Sequence, residues 1–296
     1  MKVAIYGQYY KQEISIYLEN LFQILSNNDI EVVIEDDFNE LIKSKLNQSY
    51  KTFSSYTELN ATFDLLITVG GDGTFLRSIT YIRDSNIPIL GLNLGRLGFL
   101  ATVQKDHIEE AIKALIHGEY RIVERTLLQV KTIPETEELG NLNIALNEVT
   151  VVRKNSTAMI AVTTKLDDEF LTSYWADGLI IATPTGSTGY SLSCGGPVIS
   201  PTAQNVILTP IAPHNLTARP LVVPDKTNIE LKVVGREKNA LLSLDSRVIT
   251  IPNNTKVFIK KAAYSIKTIQ LNNQTFLKTL REKLLWGEDT RNSKAK

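Results

Sequence analysis

The first third of the chain alternates short, continuously apolar runs with segments in which apolar residues recur at helical spacing. The runs cover residues 3–6, 32–34, 64–69 and 88–92. Between and after them, apolar residues return every three or four positions, as in residues 14–25, 75–82 and 108–115. Strands that are apolar on both faces and alternate with helices predict a parallel sheet covered on both sides.

The pattern changes after about Tyr120, where apolar residues begin to alternate with other residues at period two. The alternating positions include Thr157, Met159, Ala161 and Thr163, and further strand-like runs cover residues 229–233, 241–244 and 257–259. The pair Asp167-Asp168 separates two such runs and predicts a hairpin. This half is therefore expected to be mostly β, and the apolar spacing over residues 276–285 predicts a final helix.

Composition excludes several classes of protein. Hydrophobic residues make up 43% of the 296 residues and the formal net charge is zero, which disfavours a disordered chain and a nucleic-acid-binding surface. Cys194 is the only cysteine, so neither an intrachain disulfide nor a cysteine-based zinc cluster is expected. No apolar stretch is long enough for a membrane span, and the apolar start is too short for a signal peptide. These features predict a soluble cytoplasmic protein with no nucleic-acid or membrane partner.

The stretch Gly70-Gly71-Asp72-Gly73-Thr74 lies between a predicted strand and a predicted helix. Glycines there let backbone N–H groups approach a ligand, and the helix N-terminus favours an anion such as phosphate. A carboxylate beside phosphate suits a metal contact or proton removal from an attacking hydroxyl, although a simple helix cap explains it equally well. Neither a P-loop nor a G-x-G-x-x-G fingerprint occurs, since Leu76 stands at the third glycine position.

A second stretch, residues 176–197, runs from a strand into a loop rich in glycine and hydroxyl groups. Such a loop offers many small donors and acceptors for ribose, amide and phosphate groups, and Tyr190 could stack on a base. A plain surface loop is the alternative, but its length favours function. Asn147 and Glu148 interrupt an apolar strand, where adjacent side chains are expected on opposite faces. Residues 245–247 predict a hairpin turn, or an acid and a base at a pocket rim.

These motifs resemble those of the bacterial NAD kinases in order and spacing. The matching elements are Gly71-Asp72-Gly73-Thr74, Asn147-Glu148, the run from Asp177 to Tyr190, the run from Gly91 to Phe99, Pro213-His214 and Ala218-Arg219-Pro220-Leu221. The resemblance covers nearly the whole chain and is clearest over residues 60–250. The glycine-aspartate element alone also occurs in lipid kinases and phosphofructokinases, whereas the hydroxyl-rich run is highly specific.

The resemblance implies transfer of a phosphoryl group from ATP, or from polyphosphate, to the 2′-hydroxyl of the adenosine ribose of NAD. It implies that Asp72 is the proton acceptor and that a divalent cation, Mg²⁺, assists. The residues implied to bind NAD or the phosphates are Gly71, Asp72, Gly73, Thr74, Arg77, Phe99, Asn147, Glu148, Asp177, Thr185, Thr188, Gly189, Tyr190, Ser191, Leu192, Ser193, Ala212 and Arg247.

The resemblance also implies the architecture: a Rossmann-like α/β domain at the N-terminus, a β-rich, sandwich-like domain after it, and a C-terminal helix that packs back on the first domain. It places residues 1–103 and 272–296 in the phosphate-donor-binding domain and residues 104–271 in the NAD-binding domain, whereas periodicity alone places the change near residue 120. A homodimer or homotetramer is expected.

Two other functions remain open at this level. A lipid kinase acting on diacylglycerol or a sphingoid base would also use ATP and Asp72, but the hydroxyl-rich run with Asn147-Glu148 suits a dinucleotide better than an acyl chain. A non-catalytic NAD or NADP sensor would keep the pocket, but it would have no need for a carboxylate beside phosphate.

Overall fold

The computed structural model describes residues 1–45, 49–140, 142–154 and 158–286, so Thr157 of the predicted alternation lies outside the described residues. The chain forms two compact units. The first consists of Met1–Glu124 with Ile266–Lys296, and the second consists of Arg125–Ser265.

Strands and helices alternate along the first unit, as the apolar pattern predicts. In chain order the elements are β1 (Lys2–Gly7), α1 (Ser15–Asn27), β2 (Glu31–Glu35), α2 (Asp36–Ile42), β3 (Lys51–Phe53), β4 (Leu65–Val69), α3 (Asp72–Ile82), β5 (Ile89–Asn93), β6 (Val103–Gln104), α4 (Ile108–His117) and β7 (Tyr120–Arg125). Strands β3, β2, β1, β4 and β5 lie side by side and parallel. Every residue of β4 and of β5 is buried, as expected for strands covered on both faces.

The second unit is built from antiparallel strands. Its elements are β8 (Leu128–Ile133), β9 (Ile144–Ala145), β10 (Glu148–Arg153), β11 (Ile160–Leu166), β12 (Glu169–Ala176), β13 (Gly178–Ala182), α5 (Tyr190–Ser193), β14 (Asn205–Ile211), β15 (Leu221–Pro224), β16 (Ile229–Val234), β17 (Asn239–Leu244), β18 (Arg247–Pro252) and β19 (Lys256–Lys261). One sheet has the order β15-β14-β13-β10-β17-β18 and the other β12-β11-β16-β19-β8-β9. The expected hairpins form at Asp167-Asp168 and at Asp245-Ser246.

The two sheets of the second unit share one core. Val151 and Leu242 come from the first of these sheets, Val162 and Leu231 come from the second, and all four are buried in the same cluster. Period-two alternation points one face of each strand into this core, which is the arrangement of a β-sandwich. The sandwich-like fold predicted for the second half of the chain is therefore confirmed.

The chain then returns to the first unit. Strand β20 (Ile266–Leu271) lies between β5 and β7, with Thr268 paired in parallel to Ile89, and α6 (Phe276–Leu284) follows it. The aromatic rings of Phe276 and Phe99 lie 6.3 Å apart between centroids. The predicted C-terminal helix thus packs on the N-terminal unit. Within the described residues, no helix has both the length and the apolar character that a membrane crossing needs.

Helix α4 belongs to the first unit in this structure. Ile108, Ala111, Ile112 and Leu115 are buried in the same core cluster as the α1 residues. The resemblance had placed this helix after the domain boundary at residue 103, whereas the compact units divide after residue 124. The apolar face of α4 is buried in the core cluster that also contains residues of the parallel sheet.

Helix α1 offers a direct test of this core. Leu21 is 1% exposed and Ile16 is 68% exposed on the same helix. Leu21→Ala is expected to lower the free energy of unfolding by about 2–5 kcal/mol, because it leaves a cavity in the core. Ile16→Ala, the matched control, is expected to change it by about 0.5 kcal/mol or less. Urea unfolding followed by circular dichroism measures both, and equal effects would contradict the assigned faces of α1.

Candidate active-site residues

The turn between β4 and α3 positions Asp72. Gly70 has a φ of 155°, and a Cβ atom on it would lie 2.3 Å from the Thr74 hydroxyl oxygen, so both the backbone conformation and the space require glycine. Gly71 is the N-cap residue and Asp72 is the first residue of α3. The turn therefore puts an acidic side chain at the carboxyl edge of a parallel sheet, where α/β folds bind ligands.

Three consecutive backbone N–H groups hold the Asp72 carboxylate. The N–H of Leu100 and of Ala101 donate to Oδ1 at 3.0 and 2.9 Å. The N–H of Phe99 donates to Oδ2 at 2.9 Å. Because a carboxylate oxygen can accept two hydrogen bonds, Oδ2 keeps acceptor capacity that the loop does not use.

Gly98 makes this arrangement possible. A Cβ atom at this position would lie 2.0 Å from Asp72 Oδ1, so any side chain here would displace the carboxylate or the loop. Phe99 is among the binding residues that the resemblance implies, whereas Gly98, Leu100 and Ala101 were not predicted, since main-chain donors leave no side-chain signature. The only available signal was the glycine itself, in the run Gly95 to Phe99.

The surroundings of Asp72 leave room for an anion. Cβ atoms on Gly71 or Gly73 would meet nothing within 4 Å, so the main chain at both positions is approachable. The first N–H groups of a helix have no partner inside the helix, and α3 begins here. Arg77 is exposed on α3, whereas Thr74 is buried beneath the turn. These five residues of the predicted site are therefore close together.

In the second unit, Asp245 is held by a similar group of donors. Its carboxylate accepts the backbone N–H groups of Leu146, Asn147 and Glu148 at 2.9, 2.7 and 3.2 Å. Asp245 lies in the β17–β18 turn with a φ of 53°. Burial raises the pKa of Asp245 above its ordinary value, although the three N–H groups oppose that shift. Asp245 thus fixes the main chain of Asn147 and Glu148, two of the predicted NAD-binding residues.

Asn147 and Glu148 reach the same place, contrary to the expected opposite faces. A Cβ atom on Gly189 would lie 3.2 Å from Glu148 Oε2 and 3.4 Å from Asn147 Nδ2. Strict alternation does not apply, because β10 begins at Glu148 and Asn147 precedes it. Asn147 Oδ1 and Glu148 Oε2 are both buried and have no hydrogen-bond partner among the residues that the structure describes. A buried acceptor without a donor is costly, so these two oxygens favour a ligand that donates hydrogen bonds.

The environment of Glu148 favours its neutral form. Burial and the nearby Asp245 carboxylate raise the pKa of Glu148 from 4.5 to about 8. Removal from water disfavours the charged carboxylate, and the second acid adds to that effect. At neutral pH Glu148 can therefore both donate and accept a hydrogen bond.

The hydroxyl-rich run is a compact segment, unlike the expected irregular loop. Thr185–Thr188 forms a 3₁₀ turn that is followed directly by α5. The Thr183 hydroxyl donates to Leu146 O at 2.6 Å and accepts the Gly186 N–H at 3.1 Å. A Cβ atom on Gly186 would lie 2.1 Å from Asn147 O. These contacts pack the run against Asn147.

The hydroxyl groups of this run divide into structural and exposed groups. Ser191 is fully buried and shares a 2.8 Å hydrogen bond with Thr209, and the Thr188 hydroxyl donates to Thr185 O at 3.3 Å. Tyr190 is 44% exposed. Of the remaining predicted residues, Ser193 is exposed, Leu192 and Gly189 are partly buried, and Thr185 is buried.

Three further predicted ligands also lie in the second unit. Asp177 Oδ1 pairs with Arg153 Nε at 2.8 Å. The Arg247 guanidinium donates to the carbonyl oxygens of Leu142 and Ile144. Ala212 is exposed with a φ of 43°. Asp177 and Arg247 thus already have protein partners, which fix their side chains.

Both halves of the chain match domains of one known protein family. Residues 3–120 match the family model of the ATP-NAD kinase N-terminal domain, and residues 146–271 match that of the C-terminal domain. The NAD kinase of Christiangramia forsetii is 55% identical over 99% of this chain and 100% of its own length. That of Flavobacterium psychrophilum is 54% identical over the same shares. This chain belongs to the NAD kinase family.

Solved structures of related kinases share the fold. Yeast NADH kinase complexed with NADH has a TM-score of 0.87 at 24% identity and covers 98% of this chain and 88% of that chain. The NAD kinase of Archaeoglobus fulgidus in complex with ATP has a TM-score of 0.75 at 26% identity and covers 96% and 99%. The NAD kinase architecture predicted from the sequence is thereby confirmed. Both family models favour an NAD kinase over the lipid kinase that the glycine-aspartate element left open.

The donor set also bears on the metal that NAD kinases are expected to use. Among the described residues, no three His, Cys, Asp or Glu side chains come together as a metal site. In phosphoryl transfer, Mg²⁺ is commonly bound by one or two carboxylates together with substrate phosphates. Asp72 lies beside accessible main chain at Gly71 and Gly73, which suits bound phosphates. The residues present therefore fit a metal ion that is held mainly by the substrate phosphates.

The raised pKa of Glu148 predicts a pH-dependent stability of the ligand-free protein. Below pH 4.5 the side chain is protonated in both states; between pH 4.5 and about 8 the unfolded chain loses the proton that the folded protein keeps. This group therefore makes the protein progressively less stable across that window. Glu148→Gln removes the titrating group. The free energy of unfolding of this variant, relative to that of the wild type, should therefore rise from pH 5 to pH 8.

Urea midpoints at the two pH values measure this effect. Glu169→Gln, at an exposed position of the β11–β12 hairpin, is the matched control and should give the same difference at both pH values. A Glu148→Gln difference that is constant from pH 5 to pH 8 would contradict the assigned titration.

Proposed function

We propose that the protein transfers the terminal phosphoryl group of ATP to the 2′-hydroxyl of the adenosine ribose of NAD and so produces NADP. Membership of the NAD kinase family supports the reaction class. The observation that carries the chemistry is the Asp72 carboxylate, which lies at a glycine turn before α3 and is oriented by three backbone N–H groups.

Asp72 acts as the general base. The ribose hydroxyl is a weak nucleophile at neutral pH, and it attacks phosphorus effectively only as its proton leaves. Oδ1 of Asp72 accepts two N–H groups and Oδ2 accepts one. Since Oδ2 has the free acceptor capacity, it takes the proton of the 2′-hydroxyl. The O–H bond breaks as the O–P bond forms, and ADP leaves with the electrons of the broken P–O bond.

The residues around Asp72 bind the phosphates. Main-chain N–H groups near Gly71, Gly73 and Thr74 and the exposed Arg77 offset the negative charge of the transferring group. When bound, Mg²⁺ supplies further charge neutralisation on the phosphoryl oxygens. Phe99 helps to orient the base, because its backbone N–H donates a hydrogen bond to Asp72.

The second unit binds NAD. The unpartnered oxygens Asn147 Oδ1 and Glu148 Oε2 receive donors from the adenosine part of the dinucleotide. Tyr190 is exposed beside them and offers an aromatic face to a base. The remaining members of this pocket are Asp177, Thr185, Thr188, Gly189, Ser191, Leu192, Ser193, Ala212 and Arg247. The protein works in the cytoplasm as a homodimer or homotetramer.

Asp72→Asn tests the assignment of the base. The amide keeps the shape of the carboxylate but cannot accept the proton, so kcat should fall about 10²–10⁴-fold. NAD affinity should stay within about twofold, because the amide keeps the shape of the side chain and the other proposed NAD contacts lie in the second unit. A dehydrogenase that uses NADP reports turnover with ATP and Mg²⁺, and calorimetry reports NAD binding.

The exposed Asp84, which follows α3, provides the matched control. Asp84→Asn should keep full activity. Wild-type turnover by the Asp72→Asn variant would refute the base. Activity with diacylglycerol but not with NAD would instead establish the lipid kinase, and NAD binding without turnover by the wild type would establish the sensor.

Gly98→Ala tests the geometry of the carboxylate without changing it chemically. The new methyl group would lie 2.0 Å from Asp72 Oδ1 and must displace the carboxylate or the loop. A displacement of about 1 Å can lower turnover about 100-fold. Gly95→Ala in the same loop is the control, since its methyl group would lie 3.7 Å from Asn93 Oδ1, an ordinary contact. Equal kcat values for the two alanine variants would show that the position of this carboxylate does not matter.

A further inference from the structure

The loop that holds Asp72 is itself fixed from inside the sheet. We call residues 94–102 the Asp72-binding loop. The side chain of Asn93, at the end of β5, donates to Arg96 O at 2.6 Å and to Ala101 O at 3.3 Å, and it accepts the Gly95 N–H at 2.8 Å. Asn93 is 2% exposed. A buried amide thus joins the two ends of the loop.

The last residue of the loop is held from the other end of the chain. The Thr102 hydroxyl donates to Gln274 Oε1 at 2.7 Å, and Gln274 Nε2 donates to Thr102 O at 3.0 Å. Gln274 follows β20 in the turn before α6 and is 172 residues from Thr102 in sequence. Its amide therefore engages both the side chain and the main chain of a single residue.

Helix α6 adds contacts to other parts of the same loop. The Phe276 ring lies 6.3 Å from the Phe99 ring between centroids. The Lys283 ammonium group donates to Leu97 O. The C-terminal segment thus contacts the Asp72-binding loop at three positions.

The geometry connects these contacts to the carboxylate. Thr102 follows Ala101 directly, and the Ala101 N–H is one of the two donors to Asp72 Oδ1. Thr102 and Ala101 share a peptide unit, so a shift of Thr102 moves one end of the segment whose N–H groups donate to Asp72. Those N–H groups are the donors that set the direction of both carboxylate oxygens.

We propose that Gln274 is a positioning residue for the phosphoryl transfer, acting through Thr102 and the Asp72-binding loop on the orientation of the Asp72 carboxylate. This proposal rests on the proposed function, in which Asp72 is the general base. The two side-chain hydrogen bonds of Gln274 go to Thr102 and not to the carboxylate or its main-chain donors, so its effect on turnover passes through the loop.

Gln274→Ala removes both hydrogen bonds to Thr102 and is expected to lower kcat about 10- to 100-fold, with the KM for NAD changed less than about twofold. The same substitution in an Asp72→Ala background is expected to have almost no further effect on kcat, because the group that it positions is gone. Asn273→Ala, which truncates an exposed amide in the same turn, is the matched control and should keep wild-type kinetics. The coupled NADP assay measures all four variants in the full-length protein.

Each outcome decides a different point. A Gln274→Ala kcat within about twofold of the wild type, with only residual activity in Asp72→Ala, overturns the positioning role. An equal loss in the wild-type and Asp72→Ala backgrounds shows a general structural effect and also overturns it. Wild-type activity of Asp72→Ala alone overturns the proposed base instead.

Thr102 supplies an independent pair of variants if Gln274→Ala fails to fold. Thr102→Val keeps the volume but removes the hydroxyl that donates to Gln274, so it should lower kcat without changing the KM for NAD. Thr102→Ser restores the hydroxyl and should restore kcat. A loss that persists equally in Thr102→Ser would overturn the proposal.

Discussion

A carboxylate keeps one direction only when hydrogen-bond donors hold it, and this protein supplies them from consecutive main-chain N–H groups. Asp72 receives three such bonds from residues 99–101, and Asp245 receives three from residues 146–148. Main-chain donors are fixed by the fold, so they set the direction of a carboxylate more firmly than mobile side chains can. In the first unit this fixes the proposed base, and in the second it fixes the main chain that carries the proposed NAD ligands.

Glycine supplies the space that these arrangements require. Gly98 lets the loop approach Asp72, and Gly186 lets the hydroxyl-rich segment approach Asn147 O. In both places a Cβ atom would lie about 2 Å from an oxygen. At Gly186 this is a main-chain oxygen, and at Gly98 it belongs to the Asp72 carboxylate, which would have to leave its position. Gly71 and Gly73 differ, because a Cβ atom there would meet nothing within 4 Å. Their role is therefore to leave the main chain accessible, and the two kinds of glycine cannot be told apart by sequence spacing.

The apolar pattern predicted the strands β1, β2, β4 and β5 and the four longer helices, because burial on both faces imposes continuous runs and burial on one face imposes helical spacing. In the first unit it missed β3, β6, β7 and β20. Strand β3 has three residues, too few for any period to appear, and β20 joins the first sheet only after the whole second unit has intervened. The sequence predicted those site residues that act through side chains in local motifs, such as Asp72. It did not predict the residues that act through main-chain N–H groups, such as Leu100 and Ala101.

The sequence by itself determined the two fold classes, the glycine-aspartate turn and the NAD kinase motifs, because each depends on residues near one another in the chain. Only the tertiary structure decided that Asn147 and Glu148 share one side, that Asp177 and Arg247 have protein partners, and that Gln274 holds the loop around Asp72. These are contacts between residues far apart in sequence, in several cases through main-chain atoms that every residue type carries. No pattern of side chains encodes them, so they exist only once the chain has folded.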